Sequence, residues 1–284
     1  MSIRRLGIVG AGIMGAGIAE VAARAGFDVV LRSRQQETAE ATVAALEKSL
    51  GRQVERGRLE ADVAKEALSR VTPTHHLGDL HDCDLVVESV VEDLAVKRDL
   101  FRQLDGAVQE SAILATNTST LPVVDLAVST ERPDRVCGLH FFNPAPTMSL
   151  VEVVRPLTAS DATIATAREV AERCGKSPVE VKDRAGFVVN ALLFPYLNNA
   201  VRMLESGTAS RDDIDAAMKG GCNFPMGPLA LLDLVGLDTS LAILDALYDE
   251  FRDPNYAAVP ALRRMVAAGQ LGRKSGRGFY DHRR

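Results

Sequence analysis

The sequence predicts an α/β domain over residues 1–185 followed by an all-α domain over residues 186–284. Three observations point there. Short apolar runs alternate with helix-length amphipathic segments as far as Asp183, the rhythm of strand–helix–strand crossovers. Runs such as "DLVVESV" are continuous rather than alternating, as expected of parallel strands covered on both faces. Past Gly186 almost only helical periodicity remains.

The elements follow in chain order. "IRRLGIVG" (3–10) reads as a buried strand, "IMGAGIAEVAARAG" (13–26) as a helix closing on Gly26, and "FDVVLR" (27–32) as a second strand. Together they span about 30 residues, the size of one crossover unit. Two helical stretches follow, from about Gln36 to Arg56 and from Glu60 to Ser69. Both carry charge at many positions, which predicts a pair projecting from the sheet rather than covering it.

"DLVVESV" (84–90), "SAILATN" (111–117), "RVCGLHFF" (135–142), "SLVEVVR" (149–155) and "PVEVKD" (178–183) complete the expected strands. Helices are expected at "AVKRDLFRQLDGAV" (95–108) and at "SDATIATAREVAERCG" (160–175), the latter opened by Ser160 and closed by Gly175. In the second domain, residues 191–205 are apolar on more than one side, which predicts deep burial or a partner. Ser210 opens "SRDDIDAAMKGG" with Asp213 three residues on, a variant of the capping box.

At 284 residues, 46% hydrophobic and 25% charged, the chain has the composition of an ordinary globular protein. Its formal net charge of -5 gives no electrostatic reason to expect nucleic acid or an anionic membrane as partner. Cys83, Cys137, Cys174 and Cys222 are widely spread with no CxxC pair. That argues against a disulfide framework and a four-thiolate zinc site, and fits a reducing cytoplasm. Arg4 and Arg5 precede an apolar stretch in the manner of a signal peptide, but glycines and then Glu20 and Arg24 interrupt it. No segment approaches the roughly 18 uninterrupted apolar residues of a membrane helix.

In "LGIVGAGIMGAGIAE", Gly10, Gly12 and Gly15 follow the first strand and open the first helix. This is the Rossmann-type dinucleotide fingerprint. Gly10 permits the tight bend, Gly12 lets backbone approach a pyrophosphate, and Gly15 lets the helix pack on the strand. With Ala11, Ile13 and Met14 these residues form the expected phosphate-binding turn, the helix N-terminus presenting free N–H groups. About 20 residues further on, an Asp or Glu normally bonds the adenosine ribose hydroxyls of NAD. Here that place holds Arg32, Ser33 and Arg34.

Of the five histidines, His140 ends a strand at the edge where open α/β sheets place their ligands, and Glu152 lies twelve residues on, past the turn "NPAPTM". If the two strands lie side by side, the carboxylate reaches one imidazole nitrogen and the other faces the site. That pairing suits the oxidation of an alcohol, in which a base takes the hydroxyl proton as hydride leaves the same carbon. A core histidine pinned by hydrogen bonds is the competing reading. "HHLGDLHDCD" gathers His75, His76, His81 and Cys83, but it lacks a recognised zinc spacing and reads as a surface connection, so no metal is expected. The terminal His282, Arg283 and Arg284 read as a mobile tail.

"NTSTL", "GLHFFNPAPTMSLVEVV", "DRAGFVVNALLFPYL", "PMGPLALLDLVGLD" and "LGRKSGRGFY" match in order over nearly the whole chain. With the glycine turn, they resemble the 3-hydroxyacyl-CoA dehydrogenase family, especially its short bacterial 3-hydroxybutyryl-CoA members. The resemblance implies an NAD-type domain with a projecting helical pair, and a helical C-terminal domain that makes a homodimer. It implies that His140 is the catalytic base and Glu152 its partner, and it demotes the core-histidine reading. Ser119 of "NTS" would bond the substrate oxygen, and Asn190 of "GFVVN" would support the same site. Asn117, Ser119, Asn143, Glu92, Lys97 and Lys274 fall where the family touches the cofactor. Ser49 and Arg56 fall where relatives hold the coenzyme A end of the thioester, Arg56 replacing a common lysine. The family's usual "VLRD" makes Ser33 the stand-in for the ribose-binding acid, which removes a repulsion against a 2′-phosphate. Arg32 and Arg34 then offer it charge-assisted bonds, so NADP(H) is expected to be accepted or preferred. Phe224 stands where close relatives tend to have histidine. A carrier-bound acyl group, a free hydroxy acid and a redox-sensing role without turnover stay open as alternatives. A dehydrogenase with a catalytic lysine in its helical domain is set aside, since no GxxGxGxxxK run occurs.

Overall fold

The computed structural model describes residues 3–283, and Arg284 of the expected tail lies outside them. The chain divides between Asp183 and Arg184 into two compact units.

The first unit carries β1 (Arg5–Val9), α1 (Ile13–Arg24), β2 (Asp28–Arg32), α2 (Gln36–Glu55), α3 (Ala61–Ser69), β3 (Val71–Thr74) and β4 (Leu85–Glu88). It continues through α4 (Leu94–Ala107), β5 (Ile113–Thr116), α5 (Val123–Ala127), β6 (Val136–Phe141), β7 (Leu150–Arg155), α6 (Asp161–Arg173) and β8 (Ser177–Lys182). The strands form one sheet in the order β3-β2-β1-β4-β5-β6-β7-β8. All neighbours run parallel from β3 to β6, then β7 reverses against β6 and β8 runs parallel to β7.

Four central strands are buried at nearly every position, which is why their sequences read as unbroken apolar runs. β3 has no such signature. Its "VTPT" is short and contains Pro73, yet it pairs with β2 at the sheet edge, where one side of the strand needs no donor. The charged pair α2 and α3 keeps one face for the core: Ala39, Thr42, Leu46 and Leu50 of α2 are buried, and Ala64 and Ala67 of α3 join them. Ser160 caps α6 by accepting from the N–H of Thr163. Gly175 ends that segment at φ +70°, a left-handed conformation a Cβ disfavours.

The second unit contains α7 (Val189–Glu205), α8 (Arg211–Cys222), α9 (Pro228–Val235), α10 (Leu237–Phe251) and α11 (Pro260–Ala267) around a core that includes Phe194, Leu197, Leu229, Leu232, Leu244 and Leu262. Ser210 caps α8 through the N–H of Asp213. Two buried carboxylates tie the C-terminal segment down. Asp215 accepts from the N–H groups of Leu229 and Ala230 and from the Tyr280 hydroxyl. Asp233 accepts from the N–H groups of Phe279 and Tyr280 and bonds His282 Nε2 at 2.8 Å. The expected mobile tail is therefore corrected for His282: a carboxylate buried at Asp233 needs partners, and the segment around residue 280 supplies them.

Among the described residues no helix is long and apolar enough to cross a membrane. None of their His, Cys, Asp and Glu side chains gather into a group able to hold a metal. His75 instead meets Gln36 Oε1, and His81 meets the Gly78 carbonyl.

Candidate active site

The turn after β1 is built from close backbone approaches. Gly10 sits at φ +117°, and a Cβ there would fall 2.2 Å from the Ser89 carbonyl oxygen. A Cβ on Gly15 would fall 1.8 Å from the Gly10 oxygen, so the helix seats on the strand only because that atom is absent. At Gly12 a Cβ would meet nothing within 4 Å. The turn therefore leaves open space in front of the α1 N-terminus, where Gly12 caps without a side-chain bond. Free N–H groups facing open space suit the pyrophosphate of a dinucleotide. Ala11 accepts from Thr42 Oγ1 and Met14 packs on the core, while Ile13 is exposed.

At the end of β2, the Arg32 Nε donates to the His75 carbonyl at 3.4 Å and the Ser33 N–H to the Thr74 carbonyl. Burial, and next the charge of Arg34, pull the Arg32 guanidinium below its ordinary value. The two cations stand close enough to repel each other.

β4, β5, β6 and β7 bring the other candidates together. His140 and Glu152 are directly opposite in the antiparallel β6–β7 ladder, so both side chains stand on one face of the sheet. His140 Nδ1 lies 2.8 Å from Glu152 Oε2, and the two residues are only 4% and 1% exposed. With the carboxylate ionised and the imidazole neutral, Nδ1 donates to Glu152 and Nε2 presents its lone pair. Ser119 Oγ lies 3.2 Å from that nitrogen. The Phe142 ring packs against the imidazole, centroids 4.5 Å apart. Asn117 Oδ1 accepts from the Phe141 N–H at 2.8 Å and so ties the end of β5 to the end of β6.

Beside them runs a buried ionic chain. Lys97, 1% exposed, donates to Glu88 Oε1 at 2.6 Å and stands 3.3 Å from Glu92 Oε2. A buried ammonium is tolerable only when paired in this way, and breaking such a pair costs about 3–5 kcal/mol. Glu92 Oε1 in turn accepts from the N–H groups of Ser119 and Thr120. The resemblance implies that Lys97 touches the cofactor; here its ammonium is held by the carboxylates of Glu88 and Glu92.

Ser49 and Arg56 lie on and just after α2, outside this bonded cluster. The Ser49 hydroxyl donates to Glu20 Oε2 at 3.2 Å, and Arg56 is exposed. Asn143, in the β6–β7 connection, is exposed. Asn190 and Lys274 belong to the second unit: Asn190 is buried in the first turn of α7, and Lys274 Nζ pairs with Asp238. Sequence reasoning missed Glu88, Thr116 and Thr118. The available signal was a carboxylate interrupting the apolar run "LVVESV".

The family model described as the NAD binding domain of 3-hydroxyacyl-CoA dehydrogenase matches residues 5–184, and that of the C-terminal domain matches residues 186–282. The chain belongs to the 3-hydroxyacyl-CoA dehydrogenase family. A 3-hydroxybutyryl-CoA dehydrogenase of Mycobacterium tuberculosis is 50% identical, with 99% of each chain covered. One from Clostridioides difficile is 48% identical over 98% of this chain and 99% of its own. Among solved structures, FadB2 of M. tuberculosis superposes with a TM-score of 0.97 at 49% identity, and (S)-3-hydroxybutyryl-CoA dehydrogenase PaaH1 of Ralstonia eutropha with 0.97 at 44%, each covered completely in both directions. The first of the two family models is that of an NAD binding domain, and the open space before α1 at Gly12 is compatible with a dinucleotide there.

Proposed function

We propose that this chain interconverts a short-chain (S)-3-hydroxyacyl-CoA, with 3-hydroxybutyryl-CoA as the leading substrate, and the matching 3-ketoacyl-CoA. The observation that carries the reading is His140 held between Glu152 and Ser119. In oxidation His140 Nε2 takes the proton of the C3 hydroxyl, and Ser119 Oγ gives a hydrogen bond to the same oxygen. Glu152, at Nδ1, supports the imidazolium that forms. A nicotinamide held at this site would supply the hydride chemistry at C3. Gly10–Gly15 hold its phosphates, with Asn117, Asn143, Glu92 and Lys274 assigned to the rest of the cofactor. Asn190 supports the reacting oxygen, and Ser49 and Arg56 hold the coenzyme A end. Reduction of acetoacetyl-CoA, followed at the nicotinamide absorbance band, tests the reading. Turnover is expected with the CoA thioester; preference for free acetoacetate or for a carrier-protein thioester would reassign the substrate.

A specific observation favours a cofactor preference within this reaction. Arg32 and Arg34 stand close enough to interact as like charges, and Ser33 stands where an acid would repel a 2′-phosphate. Well-placed charged bonds contribute about 1.5–3 kcal/mol, a preference of roughly ten- to a hundredfold. The kcat/KM for NADPH is expected to exceed or match that for NADH, and Ser33→Asp to shift the ratio toward NADH by about that factor. A strong NADH preference in the unaltered enzyme would remove this assignment and leave the reaction intact.

The helical unit is assigned to dimerisation. Leu192 of α7 is 72% exposed and Met203 also faces outward, apolar surface that a second copy would cover. Light scattering is expected to give the mass of two chains, and a stable monomer would contradict the assignment. The free thiols fit a cytoplasmic setting: burial pushes Cys83, Cys137 and Cys174 up to about 12, so they stay protonated and inert.

A further inference from the structure

Glu88 ends β4 as its one charged residue, and its side chain is wholly buried. None of the roles assigned above uses it. Its Oε1 accepts from Lys97 Nζ and from the Val90 N–H, both at 2.6 Å, and its Oε2 accepts from Thr116 Oγ1 at 2.7 Å. Each arm ends on the same turn. Through Lys97 it reaches Glu92, whose Oε1 accepts from Thr118 Oγ1 and from the N–H groups of Ser119 and Thr120. Through Thr116 it reaches the Thr118 N–H, which donates to Thr116 Oγ1 at 3.1 Å.

We propose that Glu88 is a positioning residue: its carboxylate, acting through Lys97–Glu92 and through Thr116, fixes the 118–120 turn so that Ser119 Oγ stands against His140 Nε2. The physical case is that this turn follows the end of β5 and the Ser119 hydroxyl has rotamer freedom of its own. Two hydrogen-bonded tethers from one buried anchor remove the backbone part of that freedom. A displacement of about 1 Å at a reacting group costs up to about a hundredfold in rate, so such an anchor matters to turnover. The inference rests on the reading of Ser119 and His140 as reacting residues.

A double-mutant cycle tests it. Glu88→Gln is expected to lower kcat by about tenfold or more in the unaltered background. With Ser119→Ala as the background, where no hydroxyl is left to place, the same change is expected to cost less than about twofold. Equal losses in both backgrounds would overturn the proposal. If Glu88→Gln does not fold, Thr116→Val, nearly isosteric and uncharged, takes its place with the same two criteria. The pair Glu88→Gln with Lys97→Met also removes the buried ammonium that Glu88→Gln alone would leave with Glu92 as its one remaining carboxylate partner. Its melting temperature is expected to recover while kcat stays low, and recovery of both would mean that Glu88 serves folding alone. If Ser119→Ala by itself keeps full turnover, the role given to Ser119 fails and this proposal with it. Additive losses beside an impaired Ser119→Ala enzyme overturn the role of Glu88 only.

Discussion

Replacing His140 by Gln is expected to lower kcat for acetoacetyl-CoA reduction by about 10²- to 10⁴-fold, the range a positioned general acid–base supplies. The substitution isolates the chemistry from the fold. Glu152 is buried and would be costly to leave unpaired, but a glutamine amide can donate to it in place of Nδ1. The melting temperature should therefore move little, and KM for the cofactor should stay near its original value. Initial rates and a thermal melt on the same preparation check this. A loss smaller than about 10²-fold in a folded variant would remove His140 from the role of base.

Glu152→Gln is expected to cost about 10²-fold or more in kcat, by a different route. The side chain keeps its size and its place opposite His140 in the β6–β7 ladder. If the amide turns its NH₂ toward Nδ1, that nitrogen must accept, and the proton moves to Nε2, which faces Ser119. The base then has no lone pair where the substrate hydroxyl arrives. If the amide presents its oxygen instead, the tautomer survives but the charge that supports the imidazolium is gone. Both orientations lower kcat while leaving nucleotide binding alone. Tight NADPH or NADH binding beside lost turnover is the expected pattern, read by cofactor fluorescence titration and steady-state rates. Unchanged turnover would show that the carboxylate does no more than fill space.

Much of this was legible in the sequence because its physics is local. The turn at Gly10–Gly15 requires particular φ angles and missing side chains, and both leave glycines at fixed spacing. The central strands are covered on both faces, so they appear as apolar runs. Ser160 and Ser210 announce their helices because a cap bond closes within three residues. What stayed hidden depends on contacts between distant segments. β3 is held by its pairing with β2 rather than by its own composition, and Pro73 disguises it. The chain from Thr116 and Lys97 to Glu88 joins residues up to 28 positions apart, and nothing in their spacing tells which carboxylate meets which donor. The role of Asp233 in tying down His282 spans 49 positions and was equally out of reach.

The single reversal of strand direction between β6 and β7 has a wider implication. Because His140 and Glu152 face each other through ladder register, their alignment is held by main-chain pairing along β6 and β7 rather than by the side chains of residues 142–149 that join the two strands. Substitutions there that keep the length and path of the connection are expected to leave the facing of His140 and Glu152 intact.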